Sequence, residues 1–420
     1  MTPTPPGPTH PLVSRSALFR SFRHRNYRLY FSGQLVSLTG TWMQSTAQGW
    51  LVYRLTGSSL ALGMVGFATL LPVLIFGLFG GVLADRLPKR RLLIVSQVLA
   101  MVLATGLSLL TFSGQVQLWH VVCFAVCLGL VNAVELPTRH SFVVEMVGKE
   151  DLHNAIALNS SIFHLARVMG PLLAGALVGI LGEAWCFAIN AVSFLAVIWG
   201  LAAMRLEPGT TTPRQAGMRE HLAEGLRYAG RTPLIRSILG LICVISLMGT
   251  STMVLFPIFA GEVFQQGPQG LGMLTASSGL GSLLGALFMA GRARATGLGV
   301  IAVWGCAGLG TTLALFGQAP MMWLACCLLV PSGFSLMAVM ASCNTMLQLA
   351  APDAMRGRVM SLYTMLYMGM GPFAALAAGW LAHVLGAPVA VTVMGASCLA
   401  GALGPGRAML RALAASSART

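Results

Sequence analysis

Long apolar stretches separated by short polar gaps run along almost the whole chain. A helix needs about 20 mostly apolar residues to cross the roughly 30 Å hydrocarbon core of a bilayer. Stretches of that kind occupy residues 29–53, 61–84, 92–112, 118–136, 155–181, 184–204, 237–260, 271–291, 297–316, 321–349, 359–385 and 387–406. The pattern predicts an all-α membrane protein with twelve transmembrane helices, and the lipid bilayer is its first expected partner.

Composition supports this interpretation. Of the 420 residues, 56% are hydrophobic and only 9% are charged, against roughly a quarter in soluble domains. The formal charge of +15 comes from basic residues that sit in the short gaps between apolar stretches rather than on one polar surface. That distribution is typical of a membrane protein and argues against nucleic acid as a partner.

The positions of the basic residues predict the orientation. If the N-terminus is cytoplasmic and twelve helices follow, nearly every Lys and Arg falls on the cytoplasmic side. Only Arg54 then lies outside, and only Arg167 lies within a helix. By the positive-inside rule, we expect a multi-pass protein of the bacterial inner membrane with both termini in the cytoplasm.

The apolar stretches divide into two sets of six. We predict a disordered cytoplasmic tail at 1–25, a six-helix bundle at 26–204, a cytoplasmic loop at 205–235, a second bundle at 236–406 and a C-terminal tail at 407–420. The loop contains a predicted amphipathic helix at 218–228. Arg167 and the Gly170-Pro171 pair in the fifth stretch are matched by Gly371-Pro372 in the eleventh. Such repeats predict two pseudo-symmetric halves that rock around a site at the midplane.

The loop after the second stretch carries the most specific motif, the segment GVLADRLPKRR at 81–91. It resembles the signature loop between helices two and three of the major facilitator superfamily, with Pro88 where the family usually has Gly. Three further segments resemble its siderophore and drug exporter branch, the transmembrane secretion effectors: GTWMQ at 40–44, WLVYRLTGS at 50–58 and LARVMGP at 165–171. The resemblance implies the major facilitator fold, a central substrate cavity and function as a monomer.

We expect the signature loop to form a gating latch on the cytoplasmic side. Gly81 would let two helices approach closely. Asp85 would pair with a basic residue of the eleventh helix, or cap the N-terminus of that helix, although its charge could serve topology alone. Glu135 would join the latch through Arg86 or Lys89, or serve as a protonation site. The predicted latch comprises Gly81, Asp85, Arg86, Lys89, Arg90, Glu135, Arg356 and Arg358.

A row of polar side chains follows one face of the first helix. The row consists of Gln34, Ser37, Thr41, Gln44 and Gln48, spaced by three and four residues. Such a face is costly against lipid, so it must face protein or a wet cavity. Cavity lining is favoured by the resemblance, in which helix one lines the central cavity, and a hydrogen-bonded seam between helices is the alternative.

Arg167 is the most informative single residue, because a charge near the midplane is expensive and usually functional. It either contacts an anionic group or substrate, partners a carboxylate during switching, or donates to backbone carbonyls at a kink formed by Gly170 and Pro171. His164 lies on the same face and can carry a proton or serve as an ordinary polar group. In the second half, Thr250, Asn344, Tyr363 and Tyr367 are further candidates for the cavity.

Together these features predict a secondary active transporter that exports a small amphipathic solute, siderophore-like or drug-like. No nucleotide-binding loop occurs, so an ion gradient must supply the energy, and the proton is the expected ion. An uptake permease or facilitator is the alternative within transport, and a receptor or scaffold is the alternative outside it. We predict no catalytic residues, no metal site and no cofactor, since the histidines and cysteines show no ligand spacing.

Overall fold

A computed structural model describes residues 20–148, 150–205, 218–292 and 296–417. The first half contains six long helices. They are α1 (Arg25–Thr56), α2 (Ser59–Arg86), α3 (Lys89–Phe112), α4 (Leu118–Val147), α5 (Leu152–Leu181) and α6 (Glu183–Ala202). Short turns join them, and several of these contain a glycine with positive φ, such as Gly57 at 57° and Gly182 at 86°. The turns are tight because glycine adopts this backbone conformation without steric cost.

A shorter helix, α7 (Met218–Arg231), precedes the second half. It covers the amphipathic helix predicted at 218–228. The remaining helices are α8 (Pro233–Val263), α9 (Gly267–Ala290), α10 (Leu298–Gly317), α11 (Met322–Ala350), α12 (Asp353–Leu385) and α13 (Ala387–Ala415). α12 is interrupted at Met370, just before the Gly371-Pro372 pair.

The all-α membrane fold is confirmed. Eleven helices in the described part of the chain are long and apolar enough to cross a membrane. α1, at 32 residues, is also long enough but too polar to meet the same criterion, because the polar row lies on it. α1 packs along α5 and α6, so other helices cover much of its polar surface.

α8 is the least regular of the long helices. Its middle consists of a π-helical turn (Ile245–Gly249) followed by a 3₁₀ turn (Ser251–Leu255), and a second π turn (Phe259–Val263) ends it. Wide and narrow turns within a helix rotate the side chains that follow them and often mark functional positions. Here the 3₁₀ turn Ser251–Leu255 is the part that packs on α2 of the first half.

The structure differs from the prediction at both ends of the chain. Residues 20–25 belong to the predicted disordered tail, yet the 3₁₀ turn Arg20–Arg23 packs on the start of α5. Ser21 is fully buried, its N–H donates to Asn154 at 2.9 Å, and Arg20 pairs with Asp151 at 2.8 Å. The predicted C-terminal tail likewise begins as a helical continuation of α13. Residues 1–19 lie outside the described residues.

The two halves contact each other mainly at one end of the bundle. We call the end where α1 begins the termini face and the other end the opposite face. Near the opposite face α2 packs on α12 with Gly63 against Gly379, and α5 packs on α9 with Gly175 against Gly272. A Cβ at Gly379 would lie 2.6 Å from the Ser59 carbonyl oxygen, and one at Gly272 would lie 2.6 Å from that of Pro171. The backbones therefore touch, and this glycine seal closes the opposite face.

Toward the termini face the halves separate. The first part of α12, Asp353–Gly369, has its extensive contacts with α7, α8 and α11. Among the described residues, the first part of α8, Pro233–Val244, has its extensive contacts within the second half and with α7. In the first half, Phe76 and Phe79 of α2 and Ile156 of α5 are exposed. The central space between the halves is thus open toward the termini face.

Candidate functional site

Arg167 lies in the middle of α5, at the level where the two halves begin to meet. Its guanidinium is 5.7 Å from the centre of the Trp42 ring on α1, and its Nη2 lies 3.3 Å from the Met253 sulfur on α8. The α5 backbone is held there by α9, because a Cβ at Gly279 would be 2.9 Å from the Arg167 carbonyl oxygen. Helices of both halves therefore surround this side chain.

The surroundings satisfy the Arg167 cation only in part. The face of Trp42 attracts a cation, and a thioether is a weak acceptor. The Nε of Arg167 is buried without a hydrogen-bond partner, and no described carboxylate lies within 4.0 Å of the side chain. An Arg at the bilayer centre costs at least about 2.5–3.5 kcal/mol. The indole ring and the thioether offset only part of this cost.

His164 precedes Arg167 by one turn of α5 and is buried, and its Nδ1 also lacks a hydrogen-bond partner. Its ring contacts Phe163 edge to face, and Phe163 in turn contacts Trp42 at 5.7 Å. The first half therefore presents two unsatisfied nitrogen donors or acceptors beside an aromatic cluster.

The predicted residues of the second half lie on α8, α11 and α12. Tyr363 and Tyr367 stack with their ring centroids 6.0 Å apart, and Tyr367 is close enough to Arg167 for an electrostatic interaction. Asn344 of α11 hydrogen-bonds Tyr363 and accepts from Gln348 at 2.6 Å. Thr250 donates to the carbonyl of its own helix one turn earlier. The structure thus brings the tyrosines and Asn344 together and places Tyr367 near Arg167.

The polar row of α1 is divided between the two predicted roles. Gln34, Ser37 and Gln44 are buried, Gln48 is partly buried and Thr41 is exposed. Gln44 accepts a hydrogen bond from the Asn190 amide of α6 at 2.7 Å. Gln44 therefore takes part in a seam inside the first half, whereas exposed Thr41 is the member most open to solvent.

Gly170 and Pro171 lie within a continuous α5. A Cβ at Gly170 would be 2.5 Å from Cβ of Trp42 and 2.8 Å from the Thr39 carbonyl oxygen. The absence of a side chain at Gly170 therefore lets α5 press against α1 and positions Trp42 beside Arg167. The kink predicted at this pair stays a prediction.

The latch contact predicted for Asp85 is absent in this conformation. Asp85 and Arg86 are exposed, and Asp85 makes no ion pair with any residue in the described part of the chain. Lys89 pairs with Glu145 of α4, and Arg90 donates to the Ala202 carbonyl of α6. The basic part of the loop is therefore bound within the first half while its acid is free.

The basic residues expected opposite Asp85 have other partners. Arg356 pairs with Asp353 at 2.7 Å on its own helix. Arg358 pairs with Glu224 of α7 at 2.8 Å, and a Cβ at Gly225 would be 3.2 Å from Cβ of Arg358. We call the contact of Glu224 and Gly225 with Arg358 the α7 tether. Because the halves separate at the termini face, the two arginines pair with Asp353 and Glu224 instead of Asp85.

Glu135 was expected to pair with Arg86 or Lys89, and the structure places it elsewhere. It is buried in α4, 3.5 Å from Arg139 on the next turn, and Gln97 of α3 donates to it at 3.4 Å. Because these partners lie inside the first half, Glu135 is already neutralised without the latch.

Gly81 was predicted to let two helices approach closely, but in the structure the glycine at the close approach is Gly80. A Cβ at Gly80 would lie 2.0 Å from the Ala133 carbonyl oxygen of α4, whereas no heavy atom lies within 4 Å of the corresponding position at Gly81. One residue along a helix is a rotation of about 100°, so neighbouring glycines face different surroundings.

Sequence reasoning missed Trp42 and Met253 as members of the site, although Trp42 stands in a segment that resembles the family. A separate cavity of about 300 Å³ lies beyond the glycine seal, where the α1–α2 turn meets α8, α12 and α13. It is lined by Gly57, Ser58, Ser59, Ile258, Glu262, Ala382, His383, Gly386 and Ala387. This cavity opens on the opposite face and is not part of the site around Arg167.

Comparison with known proteins places these features in context. The sequence profile of the transmembrane secretion effector family matches residues 16–419. The multidrug efflux pump Tap of Mycolicibacterium fortuitum is 27% identical over 371 residues, 84% of this chain and 88% of that protein. The enterobactin exporter EntS of Escherichia coli O1:K1 is 25% identical over 342 residues, 81% of both chains.

Solved structures show the same fold at lower sequence identity. The nucleoside transporter NupG has a TM-score of 0.70 at 12% identity and covers 92% of this chain and 98% of its own. A bacterial homologue of the iron transporter ferroportin in an inward-facing state has a TM-score of 0.66 at 16% identity, with coverage of 92% and 98%.

Proposed function

Because the chain belongs to the transmembrane secretion effector family of the major facilitator superfamily, we propose that it exports a small amphipathic solute, siderophore-like or drug-like, by alternating access. The observation that carries the proposal is the central space around Arg167, which both halves line and which is open at one face and closed at the other by the glycine seal. A permanent receptor or scaffold has no use for such a one-sided opening.

The orientation is part of the proposal. Both termini face the cytoplasm, so the termini face is the cytoplasmic one and the protein is inward-facing, ready to accept a solute from inside the cell. The basic loop at Arg86–Arg91 and the basic ends of α7 and α13 support this orientation by the positive-inside rule. The membrane is the bacterial inner membrane, and the working unit is a monomer.

Proton exchange supplies the energy in this proposal. His164 and Glu135 are two titratable groups that are buried within helices of the first half. His164 is the better placed of the two, because it lies one turn from Arg167 and has an unsatisfied nitrogen. Glu135 lies deeper in the first half, where its pairing with Arg139 responds to movements of α3 and α4.

The direct test is transport of a panel of dyes, antibiotics and catecholates in cells and inside-out vesicles. We expect uncoupler-sensitive removal of at least one solute from cells and its uptake into the vesicles. The His164→Gln variant should lose the sensitivity to the imposed proton gradient. Net accumulation of the solute in cells would instead indicate an uptake permease. Transport that does not depend on the proton gradient would indicate a facilitator. Absence of any transport would favour a receptor.

The latch belongs to the opposite conformation in this proposal, and a matched pair of variants tests it. When the halves close at the termini face, Arg358 leaves Glu224 and pairs with Asp85. We expect Asp85→Asn to favour the inward-facing state and Glu224→Gln to favour the outward-facing state. Exposed ion pairs contribute about 0.2–1 kcal/mol, so each shift should be about 1.4- to fivefold.

Electron paramagnetic resonance distances between spin labels on α2 and α12 at the termini face would report the two populations. Glu150→Gln is the control, because this exposed carboxylate pairs with Arg20 inside the first half and belongs to neither the latch nor the tether. Shifts of the same sign in Asp85→Asn and Glu224→Gln would contradict the exchange of partners.

A further inference from the structure

Arg167 forms no ion pair with any acidic side chain in the part of the chain that the structure describes. Its neighbours are an indole ring, a thioether and a phenol. By contrast, buried Arg139 is paired with Glu135 on the adjacent turn. A cation within a membrane protein is normally paired, or else marks the path of a substrate or ion.

The sequence limits what could neutralise Arg167 in any conformation. The chain has 11 acidic residues. Among the acids that the structure describes, all but Glu135 lie near helix ends or in segments that connect the helices, away from the middle of α5. Glu135 is itself held by Arg139 and Gln97 inside the first half. The described part of the chain therefore offers no acid in the middle of the bundle that is free to pair with Arg167.

The site around Arg167 has the features of an anion-binding site with an apolar wall. The guanidinium offers a planar set of donors that matches a carboxylate, and its Nε is unsatisfied. His164 presents a second unsatisfied nitrogen one turn away. Trp42 and Met253 flank the cation, and Tyr367 lies on the side of the second half.

The open side of the molecule leads to this position. Ser160 and Ser161, one to two turns before Arg167 on α5, are exposed, as are Thr364 and Tyr367 on α12. Just beyond Arg167 the helices close, with Gly175 of α5 packed on Gly272 of α9. Arg167 therefore lies at the closed end of a passage that begins at the termini face.

We infer that the solute carries an anionic group, a carboxylate or an acidic phenol, which binds the Arg167 guanidinium while an attached aromatic or apolar part packs on Trp42 and Met253. This inference rests on the proposed function and narrows its substrate class from amphipathic solutes in general to amphipathic anions. His164 contributes a second polar contact to the same group. Amphipathic cations are disfavoured at this position because the like charge is not compensated.

A matched set of small probes tests the inference by binding alone. The probes are 2-naphthoate, its neutral amide and 2-naphthylmethylamine, titrated by calorimetry into the full-length protein in phosphatidylcholine nanodiscs, with empty nanodiscs subtracted. We expect naphthoate to bind at least tenfold more tightly than the amide, and the amine to bind most weakly. Equal affinity for naphthoate and the amide, or no saturable binding of naphthoate, would overturn the inference.

Variants then assign the preference to Arg167. Arg167→Gln should lower the affinity for naphthoate about tenfold and leave the affinity for the amide unchanged. Arg167→Lys should retain part of the preference for naphthoate, because the positive charge remains but the paired donors of the planar guanidinium are lost. Arg411→Gln removes an exposed cation at the termini face and is the control. An anion preference that survives Arg167→Gln would also overturn the inference. If Arg167→Gln does not fold, the comparison of probes on the unaltered protein still decides the outcome.

The result is separable from the proposed function. If no solute is transported but naphthoate still binds through Arg167, the anion site stands and the exporter function fails. If export is observed and neutral or cationic solutes are preferred, the exporter stands and the anion site fails.

Discussion

Gly379→Val is expected to stop transport while leaving the protein folded. A Cβ at this position would be 2.6 Å from the Ser59 carbonyl oxygen and 2.8 Å from Cα of Gly63, both in α2. These atoms are backbone, so they cannot rotate away, and the two halves must separate at the opposite face instead. Overpacking of this kind costs about 1–3 kcal/mol. A cost of 1.4 kcal/mol corresponds to a factor of ten, so the closed opposite face should become about five- to 150-fold less populated.

The measurement combines export of a solute identified in the transport panel with hydrogen exchange of the α2 and α12 amides at the glycine seal. We expect the export rate to fall at least tenfold and exchange near Ser59 and Gly379 to rise. Gly77→Val is the matched control, because Gly77 lies in α2 but has no heavy atom within 4 Å of a Cβ. Normal export by Gly379→Val would show that the seal does not have to close during the cycle.

Gly80→Val is expected to produce a large loss of stability. Its Cβ would overlap the Ala133 carbonyl oxygen at 2.0 Å and approach Cα of Val134 at 3.0 Å. The contact joins α2 to α4 inside the first half, where no rocking motion relieves it. We therefore expect a cost of about 3 kcal/mol, at the upper end of overpacking, and a fall in the unfolding temperature of the first half of roughly 10 °C.

The neighbouring glycine provides the control for this second experiment. Gly81→Val places the same side chain one residue later, where no heavy atom lies within 4 Å. Thermal unfolding of both variants in detergent should therefore show a large shift for Gly80→Val and a shift near zero for Gly81→Val. Equal shifts would mean that the loss comes from helix propensity rather than from contact with α4.

The number and order of the helices could be predicted from the sequence, because lipid selects long apolar stretches directly. The ends of the helices were less predictable where a helix continues into polar residues. The fourth apolar stretch was expected to end at 136, before Pro137 and Arg139, yet α4 continues to Val147. The end of α4 packs on the bundle, and Glu145 pairs with Lys89. Tertiary contacts of this kind are not visible in hydropathy.

Part of the candidate site was also predictable, because lipid disfavours charged side chains. Arg167 stands out in the sequence because a charge in an apolar stretch has a high cost. Trp42 and Met253 do not stand out, since aromatic and thioether side chains are ordinary in such stretches. Their roles arise from contacts between α1, α5 and α8, which depend on how the two halves meet. The partners of Asp85 and Arg358 depend further on which conformation the halves adopt.

The two ends of the transport path use different kinds of contact, and this difference has a consequence for how each responds to its surroundings. The glycine seal is made of backbone groups in van der Waals contact and carries no charge, so its strength does not depend on the ionic strength of the medium around it. The α7 tether and the proposed latch are exposed ion pairs, which salt screens over about 8 Å at physiological ionic strength. In the proposed orientation, the gate that is insensitive to salt faces the outside of the inner membrane, and the gate that depends on charge faces the cytoplasm, where ionic strength is regulated.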